Sequence, residues 1–177
     1  HAGVYGERLL ADWGIAARTF LASEYAHHPP PIDEGTLVIG VTQSGETADT
    51  LEALSVAAAA SASTLALTNV IGSSAARQCD ESLFIRAGPE IGVAATKTFS
   101  SQVATLVLLG ERIARDVTGD PSQDAAGRLA ALEGLPDAAD AVLGTADARR
   151  IARTYAESDA HFFVGRGCAY PVALEGA

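Results

Sequence analysis

The sequence predicts an α/β protein, a parallel sheet flanked by helices on both faces. Three observations point there. The apolar runs at 37–41 and, within a strand at 63–68, at 65–67 are continuous rather than alternating, the pattern of strands covered on both sides, and 82–85 reads as a further strand. Segments of helical spacing separate them, and alternating β and α elements close into a parallel sheet with right-handed crossovers. A length of 177 residues, 48% of them apolar, holds one domain of ordinary size with part of another.

In order, the chain opens at His1-Ala2-Gly3 in a helical pattern of Val4, Leu9, Leu10 and Trp13, which Gly14 ends. Residues 16–22 read as a strand and Ser23-Glu24-Tyr25 as a surface turn. His27 and His28 stand before Pro29-Pro30-Pro31. Adjacent side chains of a regular element point apart, so the pair reads as a loop, not as two ligands of one metal. The 37–41 strand leads through a polar turn into a helix over 46–60, with Ala48, Leu51 and Leu54 on one face. Leu65, Ala66 and Leu67 mark the next strand, 69–74 a turn, and a short helix to residue 80 precedes the strand at 82–85.

A helix over 98–116 carries Val103, Leu106, Val107 and Ile113 on a wide apolar face, suited to a core or a dimer seam, with Glu111, Arg112 and Arg115 near its end. Pro121, Gly127, Gly134, Pro136 and Gly144 then punctuate alanine-rich pieces from 118 to 147, a connector entered at Gly119-Asp120-Pro121. A helix over 146–158 and a strand at 161–164 follow.

Formal net charge is −10, and Lys97 is the single lysine. Such a surface argues against nucleic acid and anionic membrane as partners. Cys79 and Cys168 lie far apart, without the spacing of a disulfide framework or a zinc site. The first apolar stretch is broken by Glu7, Arg8 and Asp12, so neither a leader nor a membrane span is read there, and a cytoplasmic protein is expected. The acidic, alanine-rich and lysine-poor composition is compatible with a salt-adapted or GC-rich source.

The chemistry concentrates at 42–47. Thr42, Ser44 and Thr47 supply hydroxyls, Gln43 an amide, and Gly45 a point where backbone can approach a ligand. A helix opening there presents unpaired N–H groups and the positive end of its dipole, which suit an anion such as phosphate. The plainer alternative is that Ser44 or Thr47 caps the helix while Glu46 and Asp49 satisfy its dipole. One cap needs one hydroxyl, however, and this turn has three. Gly165-Arg166-Gly167 after a strand is weak evidence by itself, often no more than a tight turn.

Residues 42–51, Thr-Gln-Ser-Gly-Glu-Thr-Ala-Asp-Thr-Leu, resemble the sugar-phosphate loop of sugar isomerase (SIS) domains, and more narrowly the isomerase half of the glutamine:fructose-6-phosphate aminotransferase family. Residues 69–74, 88–99 and 165–177 resemble further stretches of that family in the same order. The resemblance implies a SIS-type, flavodoxin-like three-layer sandwich. It divides the chain into a first SIS unit at 1–118 lacking its first strand, a helical connector at 119–158 and the start of a second, truncated unit at 159–177. It places Thr42, Gln43, Ser44 and Thr47 around the phosphate and Val93 and Ala95 beside the sugar. The family has serine where Ala95 stands, a lost hydrogen bond of about 0.5–1.5 kcal/mol. A Gly-Thr-Ser turn that precedes His-Ala-Gly in the family is missing, so an incomplete site is expected.

The activity so implied is the making of glucosamine 6-phosphate from fructose 6-phosphate and glutamine, by a homodimer, without metal or other cofactor. Moving a carbonyl from C2 to C1 needs a base that carries a proton between adjacent carbons. The family's catalytic carboxylate and histidine lie past Ala177, and its glutaminase cysteine is absent, so binding of fructose 6-phosphate or glucosamine 6-phosphate without turnover is expected, with no catalytic residue in this stretch. Glu175 reads as structural and Glu46 as support for a helix start, since the ligand's charge would repel a base there. Lys97 reads as a salt-bridge partner rather than a Schiff-base amine. Two other readings stay open: an effector-sensing SIS domain of a transcriptional regulator, and a stand-alone phosphosugar isomerase or deaminase. The segment from Gly165 onward discriminates, because a second sugar-unit opening favours the aminotransferase.

Overall fold

A computed structural model describes residues 1–92, 95–119, 124–145 and 147–177. Three parallel strands, β1 (Leu37–Val41), β2 (Ser63–Thr68) and β3 (Glu81–Phe84), form a sheet in the order β1-β2-β3. Ile39 pairs with Leu65 across the first ladder, and Leu65 with Glu81 across the second. Helices α1 (Ala2–Asp12), α2 (Ala22–His27), α3 (Ala48–Ala59), α4 (Ser74–Gln78) and α5 (Lys97–Thr118) surround the sheet. Beyond it lie α6 (Ala125–Glu133), α7 (Leu135–Thr145), α8 (Ala148–Tyr155) and α9 (Ala169–Gly176).

The period-two alternation of the strands sorts their side chains between two apolar layers. Ile39, Val41 and Leu67 face one way, where Ala2 of α1 and Phe99, Val103 and Leu106 of α5 close the core. Val38 and Ala66 face the other, against Leu51 and Leu54 of α3 and Ala75 of α4. Tyr25 of α2 packs on Ala53 and Ala57 at the margin of this second layer. The result is the expected helix-sheet-helix sandwich.

At its narrowest the sandwich needs a glycine. A Cβ on Gly40 would lie 2.7 Å from Leu54 Cδ1 and 3.1 Å from its Cγ, so α3 sits on β1 at a spacing that a side chain would wedge open. Asp80 ties the foot of β3 to that of β2: its Oδ2 accepts from Thr64 N (2.8 Å) and Thr64 Oγ1 (2.9 Å). These bonds, the backbone one foremost, hold the Asp80 carboxyl below its ordinary range.

Two predicted strands are absent. Residues 16–21 are irregular and lead into α2, so Ser23, Glu24 and Tyr25 are helical rather than a surface turn, and Tyr25 is buried. The cause lies outside the segment: Thr19 N donates to Glu7 Oε2 of α1 at 2.7 Å, which draws this segment onto a helix instead of a sheet edge. Residues 161–164 are also irregular. Phe162 and Val164 are 88% and 91% exposed, and no described strand offers them a ladder. An apolar run is a strand only when a neighbour accepts its backbone bonds. The histidine pair lies at and just past the end of α2, exposed, ahead of the proline run.

The two ends of the chain meet. His1 Nδ1 lies 2.9 Å from Glu175 Oε2, and the Arg8 guanidinium stands 5.3 Å over the Tyr170 ring, so α9 docks on α1 and Glu175 has a structural partner. Arg128 of α6 pairs with the buried Glu111 of α5 and covers Trp13 at 4.9 Å. Among the described residues no helix is long and apolar enough to cross a membrane.

Gly40→Ala is expected to destabilise the fold by about 1–3 kcal/mol, through displacement of Leu54 or of α3 as a whole. Urea unfolding of the two proteins measures it, and an unchanged midpoint would show that α3 can shift at no cost.

Candidate functional site

β1 ends at Val41, and the last bond of its ladder runs from Thr42 N to Leu67 O (3.0 Å). The loop that follows folds back on itself. Thr42 Oγ1, in a residue only 6% exposed, accepts from Gly45 N (3.2 Å), and Ser44 Oγ accepts from Glu46 N (3.1 Å). A hydroxyl that accepts from a backbone N–H keeps its own proton to give. Thr42 and Ser44 are therefore left as donors. The Thr47 hydroxyl lies 3.4 Å from that of Thr42, longer than a good O–H···O bond, so neither proton is committed to the other.

Gly45 locks this loop onto the next one. Its φ is +70°, its carbonyl accepts from Ala75 N (3.0 Å), and a Cβ there would lie 2.5 Å from Ser73 Cβ and 2.9 Å from Thr68 Oγ1. No side chain fits. The Gln43 carbonyl accepts from Asn69 N (3.0 Å) and, more loosely, from Thr68 Oγ1 (3.4 Å).

The helices that follow the three strands, α3, α4 and α5, differ in what meets their first N–H groups. At α4, Glu46 Oε1 accepts from Ser74 N (2.8 Å) and Ser73 Oγ from Ala76 N (3.4 Å). At α5, Glu90 accepts from Thr98 N (3.1 Å), Thr98 Oγ1 (2.8 Å), Thr96 Oγ1 (3.2 Å) and Thr96 N (3.4 Å). At α3, the N-cap residue Thr47 makes no side-chain cap bond, and no carboxylate is bonded to the first turn among the described residues. Both carboxylates are held below their ordinary range, Glu46 by its bonds from Ser74 and Glu90 first by the Thr98 hydroxyl.

The capping alternative is thus not what the loop does: Ser44 bonds Glu46, and Thr47 caps nothing. Glu46 does support a helix start, but that of α4, 28 positions on, rather than of α3. Of the residues expected around a sugar phosphate, Thr42, Gln43, Ser44 and Thr47 share this one loop, with Thr47 at its exposed mouth. Ala95 is exposed in the connection between β3 and α5, and Val93 lies outside the described residues. Lys97, expected in a salt bridge, is exposed at the start of α5 and makes no ion pair among the described residues. The long helix end contributes Glu111 to an ion pair, and Arg112 binds Asp116 one turn on. No three His, Cys, Asp or Glu side chains gather to hold a metal among the described residues.

Sequence reasoning missed Asn69, Ser73 and the role of Glu90. Glu90 had a signal in its spacing, since a carboxylate six and eight residues before two threonines at a helix start can reach back to their amides.

A family model for the SIS domain matches residues 1–112, and the chain belongs to the SIS-domain family. Over its whole length it is 51% identical to the glutamine–fructose-6-phosphate aminotransferase (isomerizing) of Halobacterium salinarum, of which it covers 30%. It superimposes on the C-terminal domain of glucosamine-fructose-6-phosphate aminotransferase from Francisella tularensis with a TM-score of 0.92 at 30% identity, over 99% of this chain and 51% of that one. A glucosamine-6-phosphate deaminase from Thermotoga maritima shares the fold at a TM-score of 0.73 and 24% identity, over 99% of this chain and 50% of that one. The chain spans under a third of the length of the curated relatives it matches.

The Glu90 carboxyl lies below its ordinary 4.5 when folded. Its contribution is then complete above the unfolded value and lost as pH falls through the lowered folded one. Glu90→Gln is expected to be less stable than the parent at neutral pH, and the gap should shrink as pH falls from about 5 to about 3. Urea midpoints against pH test this; a gap that stays constant across the window would mean that Glu90 is not bonded as a carboxylate.

Proposed function

We propose that the loop at 42–47 and the first turn of α3 bind the phosphate of a phosphosugar, and that the chain is part of the isomerase domain of a glutamine:fructose-6-phosphate aminotransferase. One observation carries this reading. Of the helices that follow the three strands, α4 and α5 have carboxylates of the chain bonded to their first amides, and α3 has none bonded there among the described residues, Asp49 of its first turn included. An anion entering this edge finds α3.

The donors there are neutral. Thr42 and Ser44 keep their hydroxyl protons, Thr47 adds a third, and the amides of Ala48, Asp49 and Thr50 open the helix. Hydrogen bonds to a charged group contribute about 1.5–3 kcal/mol each, and the helix dipole about 0.3–1 kcal/mol more. The net charge of −10 opposes the approach of a phosphate, but screening over about 8–10 Å leaves the local donors to decide. Gln43 fixes the loop through its carbonyl, and the segment around Val93 and Ala95 is the proposed neighbour of the sugar.

In the whole enzyme, fructose 6-phosphate and glutamine would yield glucosamine 6-phosphate. No catalytic role is proposed for any residue of this stretch. Residues 1–118 are proposed as a first SIS unit, 119–158 as a connector and 159–177 as the opening of a second unit, within a cytoplasmic homodimer. The curated relatives that align along the full chain at 51% and 41% identity are named as aminotransferases, whereas the deaminase matches at 24%, which favours this reading over an effector-sensing or stand-alone SIS protein.

The double variant Ser44→Ala, Thr47→Ala is expected to lower affinity for fructose 6-phosphate at least about tenfold, a loss of ~1.4 kcal/mol or more. Stability should change little, since Ser44 bonds only its own loop and Thr47 is exposed. Calorimetric titration with parallel melting curves decides it, and an unchanged affinity removes the reading.

A further inference from the structure

One side chain links the loop at the end of β1 to the exit of β3. Asn69 follows β2, the middle strand, and its backbone N–H donates to Gln43 O (3.0 Å). Its carboxamide reaches the opposite way: Nδ2 donates to Gly88 O (2.7 Å) and Oδ1 accepts from Ala87 N (2.9 Å). A backbone N–H can only donate and a carbonyl can only accept, so these two partners fix which way round the amide lies.

Ile85 and Ala87 pack on the core at the start of the β3 exit and Glu90 ties its far part to α5, and between them Asn69 is the side chain that bonds the backbone. The ladder ends with Ile85 N donating to Thr68 O (3.0 Å). Arg86 then takes φ +52°, the left-handed region that a residue with a long side chain enters only when its surroundings impose it, and Gly88 follows at φ +70°. Ile91 is 94% exposed, so apolar burial does not hold the segment there. The bonds from Asn69 fall immediately after the left-handed turn and are placed to impose it.

We propose that Asn69 is a positioning residue that sets the direction in which the chain leaves β3, and with it the wall that meets the sugar of a ligand whose phosphate is held at 42–47. This rests on the phosphate reading above. The order β1-β2-β3 puts the exit of β3 two strand spacings from the phosphate loop, about 9–10 Å, within reach of a six-carbon sugar anchored by its phosphate. Among the described residues the side chain of Asn69 hydrogen-bonds to the β3 exit and not to the phosphate loop. The phosphate loop is reached by its backbone, which a substitution leaves in place.

Separate titrations of the full chain with inorganic phosphate and with fructose 6-phosphate, monitored by NMR, test the assignment in the parent, Asn69→Ala and Asn69→Asp. Asn69→Asp keeps the acceptor for Ala87 N, loses the donor to Gly88 O and adds a negative charge that weakens both phosphate-bearing ligands, so the ratio of the two affinities carries the comparison should Asn69→Ala fail to fold. The ratio of fructose 6-phosphate to phosphate affinity is expected to fall about tenfold in both variants, with phosphate affinity itself unchanged in Asn69→Ala. An unchanged ratio overturns the role, whether both affinities hold or both fall together. Should the parent bind neither ligand, the phosphate reading fails, and hydrogen exchange at the Ala87 amide decides the role of Asn69: exchange at least about tenfold faster in the variants supports the latch, and equal exchange overturns it.

Discussion

The contact between Gly45 and the Thr68 to Ser73 turn is the constraint on which the carboxyl edge of the sheet depends. With φ at +70° and its carbonyl on Ala75 N, Gly45 brings the backbone of one strand-to-helix loop against the side chains of the next. That approach leaves Glu46 within reach of Ser74 N and turns the Thr42 and Ser44 hydroxyls into acceptors for their own loop. Any residue with a Cβ would drive the two loops apart. The donors would then remain in the sequence but no longer face one mouth.

Acidic residues of the chain occupy the helix starts that would compete with the proposed site. Glu46 fills the start of α4 and Glu90 the start of α5, so two of the positive helix ends that follow the strands are neutralised from within. A protein with a formal charge of −10 thereby leaves the helix that follows β1 without a carboxylate bonded to its first amides, among the described residues, and lines its start with hydroxyls rather than lysines. In the proposed site neutral donors take a phosphate without burying a cation, which avoids the desolvation that a buried lysine or arginine would suffer.

What was legible in the sequence follows from how local its cause is. β1 and β2 appeared with their observed bounds because continuous apolar runs between turn residues have few alternatives, and the helix starting at residue 48 showed its face through Leu51 and Leu54. The segment at 16–22 looked equally strand-like but was captured by Glu7, a partner twelve positions from Thr19 that no periodicity announces. The run at 161–164 has the composition of a strand and lacks a described neighbour. At the site, the donors of 42–47 were legible as a cluster, since three hydroxyls in six residues exceed what one cap requires. Hidden were the bonds that cross the sheet edge, Glu46 to Ser74 and Asn69 to Gly88, 28 and 19 positions apart, because they depend on strand order rather than on spacing.

The central claim is that an anion is taken by α3 and refused by α4 and α5. Amide chemical shifts during a titration with inorganic phosphate measure it most directly, because each helix start reports separately. Shifts confined to residues 42–50, with Ser74, Ala76 and Thr98 unmoved, are the expected result. Shifts centred on Thr96 to Thr98 or on Ser74 to Ala76, or none at 42–50 at saturating phosphate, would contradict it.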